Sequence, residues 1–196
     1  MEIGAKMVKI VCLDAGHGYV NGRYSGAGTL LIKEDDFAFD MVTRIKHHIA
    51  LLSDDKVAVV LSRKDANLVG INKRAEIAVQ TGCDFFLSIH ANAAGSKSAN
   101  GVEAYVAEDD HRSLDIAKKL IGVIGKLVPR VPSVRWDSQS QHSKLGVLRG
   151  TYKHMPAILL ELGFLTNTKD ALNMGNKYVK EQWAQSIAKA IVDQLV

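Results

Sequence analysis

Residues 8–18 read Val-Lys-Ile-Val-Cys-Leu-Asp-Ala-Gly-His-Gly. The apolar run is short, rich in β-branched residues and closed by glycines, which predicts a buried strand. Asp14 ends the run, and a turn of small residues presents His17. Gly16 and Gly18 let the backbone turn sharply and leave the imidazole uncrowded. Open α/β sheets collect their chemistry at the carboxyl ends of their strands. Taken alone, His17 is equally well read as a turn histidine bonded to its neighbours.

The arrangement recurs. Residues 84–92, Asp-Phe-Phe-Leu-Ser-Ile-His-Ala-Asn, again place a histidine, His90, at the end of an apolar run. A third run, Ala157-Ile-Leu-Leu160, ends in Glu161. Three buried strands, each delivering a ligand-type or base-type side chain at the same end, make a constellation.

Between these runs the apolar spacing is helical. Phe37, Met41, Ile45, Ile49 and Leu52 form one stripe, behind a first turn of Glu34, Asp35 and Asp36 that suits the helix dipole. Val57–Ser62 reads as a strand, followed by Arg63. Residues 70–81 read as a helix with Ile71, Ala75, Ala78 and Val79 inward and Arg74 and Glu76 on or near its outer face. Gly101–Ala107 alternates as an edge strand would. Asp109 or Asp110 caps a helix over His111–Val128, striped by Leu114, Ala117, Leu120, Ile121 and Ile124 and stopped by Pro129 and Pro132. Residues 130–146 are polar and irregular, the longest candidate substrate loop. Gly146–Arg149 fits a short strand. Residues 177–196 form a tail helix burying Val179, Trp183, Ile187, Ile191 and Leu195. Strands alternating with helices predict an α/β fold: a single domain whose mostly parallel sheet is covered on both faces.

The 196 residues, 47% hydrophobic and 23% charged, suffice for one well-buried domain. No run approaches the roughly 18 apolar residues that span a bilayer, so stable membrane insertion is not expected. The opening Met-Glu-Ile-Gly-Ala-Lys-Met lacks a signal-peptide core. Residues 1–7 are read as an N-terminal extension or cloning scar and 8–196 as the domain. Cys12 and Cys83 fall in or beside core strands and read as buried reduced thiols. A net charge of +4 without interleaved aromatics gives no reason to expect nucleic acid. Nine Lys/Arg against Asp115 and Asp137 between His111 and His154 form either a solvated face or one that attracts an anionic wall polymer.

A catalytic zinc site takes three protein ligands and leaves one position open. His17 and His90 offer two nitrogens. Glu34, opening the helix beside the first strand, is the chosen carboxylate, with Asp35, Asp36 and Asp14 as rivals. Asp14 alternatively supports His17 from behind. Glu161, at the end of an apolar strand, is placed as general base, its proton affinity raised by desolvation. The glycine-rich stretch Tyr19–Gly28 lacks the ending of a phosphate-binding loop and reads as a rim.

Asp14-Ala-Gly-His-Gly18, Lys33-Glu-Asp-Asp36, Ser88-Ile-His-Ala-Asn92, Gly101-Val-Glu-Ala-Tyr105, Val147-Leu-Arg149 and Glu161-Leu-Gly-Phe-Leu-Thr-Asn167 occur in an order that resembles zinc-dependent N-acetylmuramoyl-L-alanine amidases of the amidase-3 type. The resemblance spans roughly residues 8–195. It implies a twisted sheet of about six strands, Zn2+ held by His17, Glu34 and His90, Glu161 as catalytic glutamate, and hydrolysis of the amide between N-acetylmuramic acid and L-alanine of peptidoglycan. Asn92, His142 and Arg149 flank this site as candidate substrate contacts. Ala15 stands where the family usually has proline, and Glu-Leu-Gly-Phe replaces the usual Glu-Thr-Gly-Phe. No inhibitory helical insert of the septal-amidase kind is evident before Val147. Cytoplasmic synthesis without a signal peptide, then action on the wall after release or export, fits an endolysin or a sporulation-type lysin. A zinc carboxypeptidase acting on wall peptides and a non-catalytic peptidoglycan-binding module are the alternatives.

Overall fold

The computed structural model describes residues 7–127 and 133–196; residues 1–6 and 128–132, among them Val128, Pro129, Arg130 and Pro132, lie outside them. In chain order the elements are β1 (Lys9–Ala15), a rim hairpin of β2 (Tyr19–Val20) and β3 (Arg23–Tyr24), α1 (Glu34–Leu52), β4 (Val57–Leu61), α2 (Ile71–Gln80), β5 (Phe85–Asn92), β6 (Glu103–Val106), α3 (His111–Gly125), β7 (Ser133–Trp136), α4 (Gly146–Thr151), β8 (Ala157–Phe164), α5 (Thr168–Gly175) and α6 (Lys177–Leu195). Six strands form one sheet in the order β4-β1-β5-β8-β6-β7. β4, β1, β5 and β8 run parallel; β6 pairs antiparallel with β8 and parallel with β7. The α/β expectation, a mostly parallel six-stranded sheet with helices on both faces, is what the fold shows.

Strand periodicity divides the core in two. Val11, Leu13, Ala15, Leu87, Ile89 and Leu160 pack under α1, α3 and α6. Cys12, Phe86 and Leu159 face α2 and α4. The first cover is long: α1 and α6 have 19 residues each. The second is short, with 10 residues in α2 and 6 in α4, or about 15 and 9 Å. The eight-residue strands β5 and β8 extend about 26 Å. Their carboxyl ends therefore run past the short helices, and polar side chains there reach a groove rather than a helix. Both cysteines are buried and unbridged. Among the described residues no helix is long and apolar enough to cross a membrane.

Several local expectations need correction. Gly101–Ala107 does not hold an edge strand: β6 lies inside the sheet and β7 takes the edge. β7 arises within the stretch read as irregular, because four half-buried residues give no apolar run. Gly146–Arg149 is the helix α4, masked in sequence by two glycines of poor helix propensity. α5 was not anticipated; it is a short helix capped by Asn167. α3 ends at Gly125, with Asp110 as its cap. Leu52 is 42% exposed at the end of α1, and Ile71, expected inward, is 51% exposed.

The largest inversion is Arg74. It is buried, and its Nη1 donates to Asp14 Oδ2 at 2.9 Å. Asp14 also accepts from the Ser62 and Ser88 hydroxyls. Asp14 is thus consumed by an ion pair beneath the sheet and neither supports His17 nor competes as a ligand. Arg74→Leu strands a buried carboxylate and is expected to destabilise the fold by about 3–5 kcal/mol, read as a lower urea midpoint.

Candidate metal centre

Register builds the centre. His90 on β5 pairs with Glu161 on β8, which pairs with Glu103 on β6. Gly16 follows the Ala15–Ile89 pair on β1, and its N–H donates to the Ile89 carbonyl. One row across four strands thus carries Gly16, His90, Glu161 and Glu103. A Cβ at position 16 would stand 2.4–2.6 Å from the His90 ring. The glycine is therefore needed for space beside His90, more than for the turn. Gly16→Ala should swing the imidazole out of the cluster; zinc affinity falling by at least about tenfold with the fold retained is the expected result, on the scale of a lost supporting contact. Competition with a chelating dye measures it.

His17 lies just beyond this row with φ 57°, a left-handed conformation uncommon for a non-glycine residue. Arg63 holds that turn from the end of β4. Its buried guanidinium donates to the carbonyls of Ala15, Gly16 and Asp35, at 3.2, 3.4 and 2.6 Å. It thereby ties the segments flanking His17 and Glu34 together. Asp35, named as a rival ligand, instead accepts from the N–H groups of Gly18, Ser25 and Gly26 and fastens the rim. Asp36 pairs with the Tyr19 hydroxyl.

Glu34, in the first turn of α1, points back over the strand ends. Its Oε1 lies 2.9 Å from His90 Nδ1 and 3.3 Å from His17 Nε2, while Oε2 accepts from the Ala27 N–H at 2.9 Å. Each of the three residues offers one donor atom within 4.8 Å of the other two. His90 Nε2 is buried without a hydrogen-bond partner. A buried ring nitrogen left over beside a second imidazole and a carboxylate is the donor set that zinc takes. Burial works against charge on Glu34, yet the two imidazoles overcome it and hold the carboxyl well below its ordinary range. Burial likewise opposes protonation of His17, and Glu34 outweighs it and raises the imidazole's pKa.

Glu161 is half-buried, and its Oε2 is sealed from solvent without a partner. Desolvation, then the charges of Glu34 and Glu103, push its pKa well above 4.5. Glu103 accepts from Asn92 Nδ2, the Tyr105 hydroxyl and Arg135 Nη1 at 3.1, 2.8 and 3.0 Å. Glu103 and Tyr105 lie within the stretch Gly101–Tyr105, but no role for them was read from the sequence. Asn92 is engaged at both ends of its amide, since its Oδ1 also accepts from the Ala93 N–H. Arg149 forms a two-pronged pair with the fully buried Asp137 at 2.7 and 2.6 Å. Asp137 in turn accepts from the N–H groups of Glu108 and Leu145, anchoring the loop between β7 and α4. His142 is exposed on that loop, beside Gln141, which donates to the Ala93 carbonyl just past β5. Of the basic residues between His111 and His154, Arg112, Lys118, Arg135 and Arg149 pair with Asp110, Asp115, Glu103 and Asp137.

Comparison with known proteins agrees with this geometry. The family described as N-acetylmuramoyl-L-alanine amidase matches residues 11–193. The endolysin of Bacillus phage SPP1 is 31% identical over 190 residues, covering 96% of this chain and 67% of that protein. The N-acetylmuramoyl-L-alanine amidase LytC of Bacillus subtilis (strain 168) is 29% identical over 183 residues; the match covers 90% of this chain but 34% of LytC. Among solved structures, the catalytic domain of the amidase CwlV from Bacillus (Paenibacillus) polymyxa var. colistinus superposes with a TM-score of 0.82 at 29% identity, covering 96% of this chain and 98% of that one. The chain belongs to the N-acetylmuramoyl-L-alanine amidase family, hydrolases of an amide bond in peptidoglycan.

Proposed function

We propose that residues 8–196 act as the catalytic domain of a zinc-dependent amidase. It cuts between N-acetylmuramic acid and L-alanine, with His17, Glu34 and His90 as zinc ligands and Glu161 as general base and acid. The observation that carries this is the register row: it sets an acid with a free, sealed oxygen beside a cluster of two imidazoles and a carboxylate. Zinc at such a cluster supplies Lewis-acid polarisation of a carbonyl and makes water more acidic. The chain's own groups do the rest. The Ala27 and Ala91 N–H groups hold Glu34 in place. The Glu161 carboxylate accepts a proton from the attacking water, and later gives it to the departing L-alanine nitrogen as the C–N bond breaks. His142, exposed on its loop, is proposed to contact substrate; Asn92 and Arg149 shape the groove through Glu103 and Asp137. The place of action is the cell wall, reached after release or export, and the outcome is wall lysis.

Mass spectrometry of purified peptidoglycan digested with and without a chelator tests this. New L-alanine amino termini and unsubstituted muramic acid, both abolished by the chelator, are expected. Release of a carboxyl-terminal residue instead would make the enzyme a carboxypeptidase, and chelator-resistant binding without products would leave a wall-binding module.

A further inference from the structure

The loops that continue β5 and β8 beyond the metal centre border an open recess of about 380 Å3, lined by Lys97, Asn100, Asn167, Thr168 and Lys169 among others. The two loops are joined by hydrogen bonds. The Leu165 N–H donates to the Asn92 carbonyl, the Ala94 N–H to Thr166 Oγ1, and Asn167 Nδ2 to the Lys97 carbonyl, at 2.8, 3.2 and 2.8 Å. Asp170, which also lines the recess, is committed to backbone: its Oδ2 accepts from the Gly101 and Phe164 N–H groups. Lys97 and Lys169 enter no ion pair among the described residues. Two exposed cations without an ion-pair partner thus border a recess whose one acid, Asp170, turns Oδ2 to the backbone.

The position of this recess relative to the chemistry follows from the chain. Phe164 lies three residues beyond Glu161 on β8, about 10 Å along the strand. An extended peptide covers that distance in about three residues. We propose that this recess is a subsite for an acidic stem peptide, binding a carboxylate carried two or three residues beyond the cut amide through Lys97 and Lys169. It rests on the proposed amide cleavage and adds a substrate class: stems with a free acid in preference to amidated ones.

The test compares N-acetylmuramoyl-L-Ala-γ-D-Glu-L-Lys with its counterpart amidated at both the glutamyl α-carboxyl and the lysyl carboxyl. The proteins are the wild type and the Lys97→Gln, Lys169→Gln double variant, two exposed positions. On the acidic peptide KM should rise about three- to tenfold in the variant, the scale of two exposed ion pairs, with kcat unchanged. On the amidated peptide the change should stay below about twofold, and added salt should erase the wild type's preference. Equal KM for both peptides in the wild type, or equal losses on both in the variant, overturns the subsite. If the wild type cuts neither peptide, the cleavage reading fails. Calorimetric binding of the acidic peptide then decides the subsite separately: weaker binding by the double variant supports it, and unchanged binding overturns it. Unchanged peptide handling with lost binding of a glycerol-phosphate polymer assigns the lysines to a wall polymer and also overturns it.

Discussion

Glu161→Gln is expected to lower kcat by about 10²–10⁴-fold, the range for a lost general acid–base, while zinc binds as in the wild type. The amide is nearly isosteric, so β8 and its pairing with His90 and Glu103 persist. What disappears is the carboxylate proposed to carry the proton. Hydrolysis of a muropeptide and metal content of the same sample measure the two halves; an active variant would remove Glu161 from the chemistry. A second signature lies in stability against pH. The folded-state pKa of Glu161 is raised above the ordinary 4.5 by burial and by Glu34 and Glu103. Its contribution in the metal-free protein is therefore complete below about 4.5 and is lost as pH rises through the elevated value. The metal-free glutamine variant should lack that loss and overtake the wild type in denaturant midpoint on the alkaline side of the transition.

His90→Ala should abolish both metal and activity. Of the three proposed ligands, His90 is the one most firmly held by the sheet, paired with Glu161, flush against Gly16 and bonded to Glu34. Zinc affinity is expected to drop by more than about 100-fold, beyond the effect of losing a supporting group, and cleavage should vanish with it. Dialysis against a chelating buffer followed by metal analysis reads the first effect. A variant that still retained one zinc per chain would show that the ligands lie elsewhere. The deletion also leaves Glu34 with a single imidazole. Glu34 has a depressed folded-state pKa because of both histidines. Its stabilisation is present above the ordinary carboxyl value and is lost as pH falls toward the folded one; in His90→Ala the metal-free protein should gain less stability from that ionisation.

His90 and Glu161 were legible because each sits at the end of an apolar run, where a polar residue has to have a reason. His17 follows such a run through a short turn, and Glu34 was chosen among rival acids because it opens α1 beside the first strand. The structure brings His17, Glu34 and His90 together, with Glu161 paired to His90. Arg74 and Asp14 were misread because a charged residue on an amphipathic helix is ordinarily solvated, and only the tertiary fold reveals that the two face one another. Arg63 carried even less signal. It follows a strand, as many surface arginines do, and its carbonyl partners lie 28 and 48 residues away. β7 and α4 escaped because their sequences lack the periodicity that longer elements show. The Glu103 cluster needed the antiparallel pairing of β6 with β8, a register that no local pattern encodes.

The sheet order also governs when hydrolytic power first exists. β8, carrying residue 161, occupies the slot between β5 and β6, yet both neighbours are synthesised earlier, β6 by about fifty residues and β5 by about sixty-five. A ribosome must therefore release nearly the whole chain before the gap can be filled, and insertion of a central strand so distant in sequence is a slow, late folding event. Nascent or prematurely terminated products ending before residue 157 lack the strand that carries Glu161, and on the proposed mechanism they cannot hydrolyse the amide.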